Sequence, residues 1–122
     1  MMRRNVIVDK SKELALEIIR LYRNLVETKR EFVLSKQMVR SGTSIGANVR
    51  EAQRGQSKND FISKMQIAQK EADETAYWLE LLLESGYMTK EEISRAYDQS
   101  QEILKLLSSI ILKSKSSTIN NS

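Results

Sequence analysis

Lys36, Arg40, Arg50 and Arg54 are spaced so that a single helix would carry all four on one side. At about 100° per residue they fall within an arc of roughly 80°, with only Thr43 and Ala47 between them. Leu34, Met38, Ile45, Val49 and Ala52 lie on the opposite side. Eighteen residues at about 1.5 Å each make a cationic rail roughly 27 Å long. Guanidinium and ammonium groups in such a row suit phosphates, which they bind by charge without reading bases. A charged helix face is also the ordinary way to meet water, so solvation and polyanion binding both stand as readings. Arg23 and Arg30, placed with Lys12 on one side of the first helix, are secondary candidates.

Catalytic chemistry finds little to work with. The chain has no histidine and no cysteine, which removes the usual proton shuttle, the thiolate nucleophile and most transition-metal ligands. Glu91/Glu92 are explained by a helix start and Glu71/Glu74 by a partly exposed face. Neither a phosphate loop followed by Lys-Ser/Thr nor a nucleophile elbow is present. The expectation is a protein that is not an enzyme, with no cofactor and no metal.

The elements that must position the rail are helices. Zero prolines and four glycines in 122 residues leave few breakers. Ser57-Lys58-Asn59-Asp60 and Thr89-Lys90-Glu91-Glu92 have the capping-box form. Each follows a glycine, Gly55 or Gly86, able to end the preceding helix in the left-handed conformation. A weaker break falls at Thr28-Lys29-Arg30-Glu31. The pattern predicts helices over about 10–28, 33–54, 58–85 and 90–113, in a domain spanning 1–113, followed by a disordered polar tail over 114–122.

In the third helix Phe61, Met65, Ala68, Ala72, Thr75, Leu79 and Leu82 step by alternating four and three, the spacing of a bundle seam. Ile93, Ala96, Ser100, Ile103, Leu104, Leu107 and Ile111 continue it in the fourth. Short links between long helices imply an all-α, antiparallel up-down-up-down four-helix bundle. Two helices carry more apolar surface than such a bundle needs: the first through Tyr22 and its neighbours, the third through a second stripe of Ile67, Trp78 and Leu81. Either the bundle wraps deeper around these residues, or self-association, the cheaper explanation, buries the surplus. Inside the second helix, the small residues around Gly42 and Gly46 predict close approach by a neighbouring helix, because each helical glycine costs about 1 kcal/mol against alanine. Asn48 is expected to make a register-fixing hydrogen bond.

Composition agrees with one soluble globular domain: 30% of residues are charged and 40% hydrophobic. Residues 1–58 hold thirteen Lys/Arg against six Asp/Glu, and residues 59–122 seven against ten, within a net charge of +4. The basic half repeats the message of the rail. No segment approaches the roughly 20 apolar residues of a membrane span, so no membrane partner is expected. The Val6-Ile7-Val8 run after Met1-Met2-Arg3-Arg4 is too short for a secretory leader. Absence of cysteine is compatible with a reducing compartment, and the expected location is the cytoplasm.

The run Arg40-Ser41-Gly42-Thr43-Ser44-Ile45-Gly46-Ala47-Asn48-Val49-Arg50-Glu51-Ala52 resembles the bacterial four-helix-bundle family first noticed as products of intervening sequences in large-subunit ribosomal RNA genes. The likeness continues through Ser57-Lys58-Asn59-Asp60-Phe61-Ile62, Lys70-Glu71-Ala72-Asp73-Glu74-Thr75 and Tyr77-Trp78-Leu79-Glu80-Leu81-Leu82. Many members contain Asn-Ile-Ala-Glu-Gly where this chain reads Asn48-Val49-Arg50-Glu51-Ala52, a departure that adds a positive charge. The resemblance implies an antiparallel bundle assembled as a ring-like homopentamer. A relative in diversity-generating retroelements is a nucleic-acid-binding accessory of reverse transcriptase. The expected function is therefore a homo-oligomeric bundle that associates with RNA or DNA through its second helix, as accessory to a nucleic-acid-processing partner. The alternative is an interaction scaffold whose basic face meets an acidic protein.

Overall fold

The computed structural model describes residues 5–120, with side chains described through residue 116. Four helices follow one another: α1 (Val6–Glu27), α2 (Leu34–Gln53), α3 (Lys58–Glu84) and α4 (Lys90–Asn120). Cross-helix contacts give their directions. On α2 and α3, Ser41 meets Thr75 while Glu51 meets Lys64, so one number rises as the other falls. Lys10 with Glu102 and Lys29 with Glu92 run the same way between α1 and α4. The result is an antiparallel bundle in which each helix packs on two neighbours. The α2–α3 seam is the most extensive and the α1–α4 seam the least.

The core repeats the sequence pattern closely. Met65, Ala68, Ala72, Thr75, Leu79 and Leu82 of α3 are buried, as are Ile93, Ala96, Ser100, Ile103, Leu107 and Ile111 of α4. They close on Leu14, Ile18, Leu21 and Leu25 of α1 and on Met38, Ile45, Val49 and Ala52 of α2.

Chain ends of the helices show how local chemistry sets the boundaries. α1 starts earlier than the apolar rhythm suggested, because the Asn5 side chain accepts from the Val8 amide and caps the first turn. At α2 the cap is a carboxylate from the preceding loop. Buried Glu31 accepts from the amides of Val33, Leu34 and Ser35 at 3.1, 2.9 and 2.7 Å. Burial opposes its charge, but the three amide donors outweigh that cost and hold the carboxyl below its ordinary range. Ser57 accepts from Asp60 at the start of α3. Thr89 and Glu92 exchange the reciprocal bonds of a capping box at α4.

Of the two expected helix-ending glycines, only Gly86 adopts the left-handed conformation, with φ 85°. Tyr87 and Gly86 amides there return to the Leu82 and Leu83 carbonyls, closing a Schellman motif. Gly55 has no positive φ. The other left-handed residue is Arg30, φ 57°, in the α1–α2 loop. α4 runs seven residues past its expected end near 113, since no glycine or proline follows Gly86 to stop it. Residues 121–122 of the expected tail lie outside the described residues.

The small-residue run of α2 is where α1 and α2 approach. A Cβ placed on Gly42 would lie 2.8 Å from Ile18 Cγ2 and 2.9 Å from Cγ1, whereas one on Gly46 would meet nothing nearer than Ser11 Oγ at 3.4 Å. Gly42 is thus the tight crossing, and Gly46 has room for a methyl group. The Asn48 amide does not fix register: it donates to the Ser44 carbonyl of its own helix at 2.9 Å. The cross-helix polar contact is instead the buried pair Thr75 Oγ1 and Ser41 Oγ, 2.9 Å apart. The Thr75 hydroxyl donates within reach of both Ser41 Oγ and the Glu71 carbonyl at 2.8 Å, and Ser41 in turn donates to the Met38 carbonyl at 3.2 Å, so both hydroxyls are satisfied. Gly42→Ala should lower stability by about 1–2 kcal/mol, overpacking outweighing the gained helix propensity. Gly46→Ala should be neutral or up to about 1 kcal/mol stabilising. Chemical denaturation of both variants checks the order, and equal midpoints would place the close crossing elsewhere.

Candidate nucleic-acid interface

α2 turns its apolar side into the core, so its other side, with Lys36, Arg40, Arg50 and Arg54, is exposed along the bundle. Lys36, Arg50 and Arg54 make no ion pair among the described residues. Arg50 stands in the last turn of α2 and Arg54 caps it, positions where a cation is favoured by the helix dipole. Glu51 shares this face but is drawn sideways to Lys64 of α3 at 3.1 Å.

Arg40 departs from the picture of a free rail. Its guanidinium reaches across to α3, 3.8 Å from Glu71 Oε2 and 3.5 Å from Glu74 Oε2. Burial, reinforced by the Glu74 charge, pushes the Glu71 carboxyl above its ordinary range, with Arg40 and Lys70 pulling the other way. The rail therefore has three free cations and one held by carboxylates. A wheel drawn for one helix cannot show a partner on the next.

The secondary candidates separate. Arg23 is exposed on α1, 4.0 Å from Glu27. Arg30 does not lie on α1 at all, because the helix ends at Glu27; its guanidinium stands 5.1 Å over the Phe32 ring in the loop.

The residues expected at subunit contacts also divide. Tyr22 and Trp78 are half-buried and pack against the core, and Leu81 is half-buried, so the bundle absorbs much of the surplus stripe. Trp78 Nε1 is buried without a hydrogen-bond partner among the described residues. Ile67 stays 39% exposed and Tyr77, against Trp78 with ring centroids 5.2 Å apart, 54% exposed. On α1 the aliphatics Leu16, at 59%, and Ile19 are exposed, as is Val6 at the helix start. Leu16 and Ile19 line a shallow depression of about 430 Å³ together with Arg20, Arg23, Asn24 and Glu27. Ile19 belongs to the surplus apolar arc expected on the first helix, whereas Leu16 and Tyr77 lie outside the stripes read from the sequence.

Among the described residues no group of three or more acidic side chains could hold a metal ion, and no helix is long and apolar enough to cross a membrane. The arrangement offers charge and shape. Comparison with known proteins places it in context. A family described as 23S rRNA-intervening sequence protein matches residues 3–109. The chain is also similar to a protein with unknown function from the S23 ribosomal protein family of Bacteroides thetaiotaomicron VPI-5482, whose crystal structure was determined at 1.70 Å resolution. The two share 57% identity with a TM-score of 0.86, over 88% of this chain and 96% of the other. No curated protein matches the chain.

Proposed function

The chain belongs to the 23S rRNA-intervening sequence protein family, and from that premise we propose that it is a non-enzymatic, homo-oligomeric bundle that associates with RNA or DNA through the outer face of α2. The observation that carries this reading is the set Lys36, Arg50 and Arg54. All three are exposed, stand on one side of one helix and have no carboxylate partner among the described residues. Such an array engages phosphates with little base preference, since no aromatic side chain is interleaved with it to stack on bases. Self-association is supported by the exposed apolar residues on α1 and α3. Copies of the rail on one particle would add avidity without new contacts. The pentameric number rests on family resemblance, as does the role of accessory to a nucleic-acid-processing partner.

The test is a salt series on binding to structured RNA and duplex DNA. Each phosphate contact contributes about 0.7–0.9 to the slope of log K against log salt, so Arg50→Ala with Arg54→Ala should flatten it by about 1.5 units per engaged protomer. Lys105→Ala with Lys113→Ala on α4, both exposed and outside the candidate face, removes the same charge elsewhere and should leave the slope near the parent value. A parent slope retained by the Arg50/Arg54 variant would reduce the face to a solvated surface, and the acidic-protein scaffold would take its place.

A further inference from the structure

We propose that Glu71 and Glu74 form a carboxylate clasp that competes with phosphate for Arg40, making Arg40 a contact admitted only to a polyanion already anchored on Lys36, Arg50 and Arg54. This rests on the polyanion reading of α2 and adds the residues that tune it. The geometry is specific. Arg40 lies between the two ends of the rail, its side chain 54% exposed, while the Glu71 side chain facing it is only 15% exposed. Glu71 Oε2 is buried and accepts no hydrogen bond among the described residues, so the guanidinium at 3.8 Å is its nearest charge compensation. Glu74 closes the other side at 3.5 Å. From its own helix the Arg40 guanidinium meets Gln37 Oε1, at a long 3.4 Å.

A carboxylate pair held this close has a consequence for selectivity. An isolated phosphate arriving at Arg40 must displace two carboxylates that are tethered at high effective concentration, and it brings one anion against two. A chain of phosphodiesters bound at Lys36 and Arg50 presents its phosphate to Arg40 as an equally tethered competitor. The clasp therefore discriminates against single phosphates and in favour of polymers, at the cost of part of the rail's affinity. Half-exposed ion pairs are individually weak, which suits a contact that must exchange.

Glu71→Gln with Glu74→Gln should tighten structured-RNA binding about three- to tenfold and steepen the salt slope by about 0.7–0.9 per engaged protomer, the signature of one more phosphate contact. Removing acidic groups near any basic face strengthens polyanion binding, so the deciding measurement is the cycle with Arg40→Ala. In that background the same glutamine pair should change affinity less than about twofold. A gain that persists without Arg40 overturns the clasp as a bulk charge effect. No gain in the parent background, while Arg50→Ala with Arg54→Ala still weakens binding, overturns it and leaves the rail intact. Absence of RNA binding by every protein removes both. Glu74→Gln alone, at the more exposed position, gives the same comparison should the buried Glu71 variant fail to fold.

Discussion

Glu31→Ala should cost about 2–3 kcal/mol of unfolding free energy, the largest single effect expected from a charged residue in this chain. The substitution leaves the amides of Val33, Leu34 and Ser35 without their acceptor where water has little access, and it removes the cap of α2. Ser35 also loses the order of the loop whose Glu31 carbonyl its hydroxyl bonds at 2.8 Å. The effect has a pH signature. Because the folded-state carboxyl is held below its ordinary value of 4.5, its contribution is fully present above that value. It is lost as pH falls through the depressed folded value. The gap between parent and Glu31→Gln should hence be constant from neutral pH down to about 5 and narrow in more acidic solution. Denaturant titrations at several pH values measure it, and a gap that widens on acidification would refute the cap.

The second large effect concerns assembly. Leu16→Asp with Ile19→Asp on α1, or Tyr77→Asp on α3, should convert the proposed oligomer to monomers, because a carboxylate placed in an apolar contact must be desolvated. The protomer should remain helical, since Leu16 and Tyr77 are each more than half exposed. Trp78 would give a different answer. It packs against the core, so Trp78→Glu should unfold the protomer before it reports on any interface. Light scattering together with circular dichroism distinguishes the two outcomes. A parent protein of monomer mass at micromolar concentration would remove the self-association reading.

What was legible in the sequence were the features written along one helix. The seam of α3 and that of α4 follow from spacing alone, and the boxes at Ser57 and Thr89 state their own helix starts. Features that depend on a second element were hidden. Glu31 caps α2 from a loop, outside the Ser/Thr-x-x-Glu form, so nothing in its neighbours marked it. Arg40 looked like part of the rail until α3 brought Glu71 and Glu74 against it. Asn48 looked like the register-setting polar residue, but the contact across the α2–α3 seam belongs to Ser41 and Thr75, whose hydroxyls read as ordinary small residues. Arg30 was assigned to a helix because its left-handed backbone is a property of the loop, and arginine rarely adopts it. The candidate site was half visible: residue types and one face could be read, their partners could not.

The thin α1–α4 seam joins two helices that lie far apart in the order of synthesis. During synthesis α1, α2 and α3 emerge in an order that lets each pack on its predecessor, as α1 on α2 at Ile18 and Gly42, then α2 on α3 at Ser41 and Thr75. The side of α1 that will receive α4 has no cover until α4 itself has emerged. Domains take shape as they leave the ribosome, and exposed apolar surface in that interval is where nascent chains go astray. Lys10 and Lys29 stand along that late edge and await Glu102 and Glu92, so the nascent α1 shows charge beside its waiting aliphatic side. The vulnerable interval for the nascent bundle thus lies between the emergence of α3 and that of α4, which closes it.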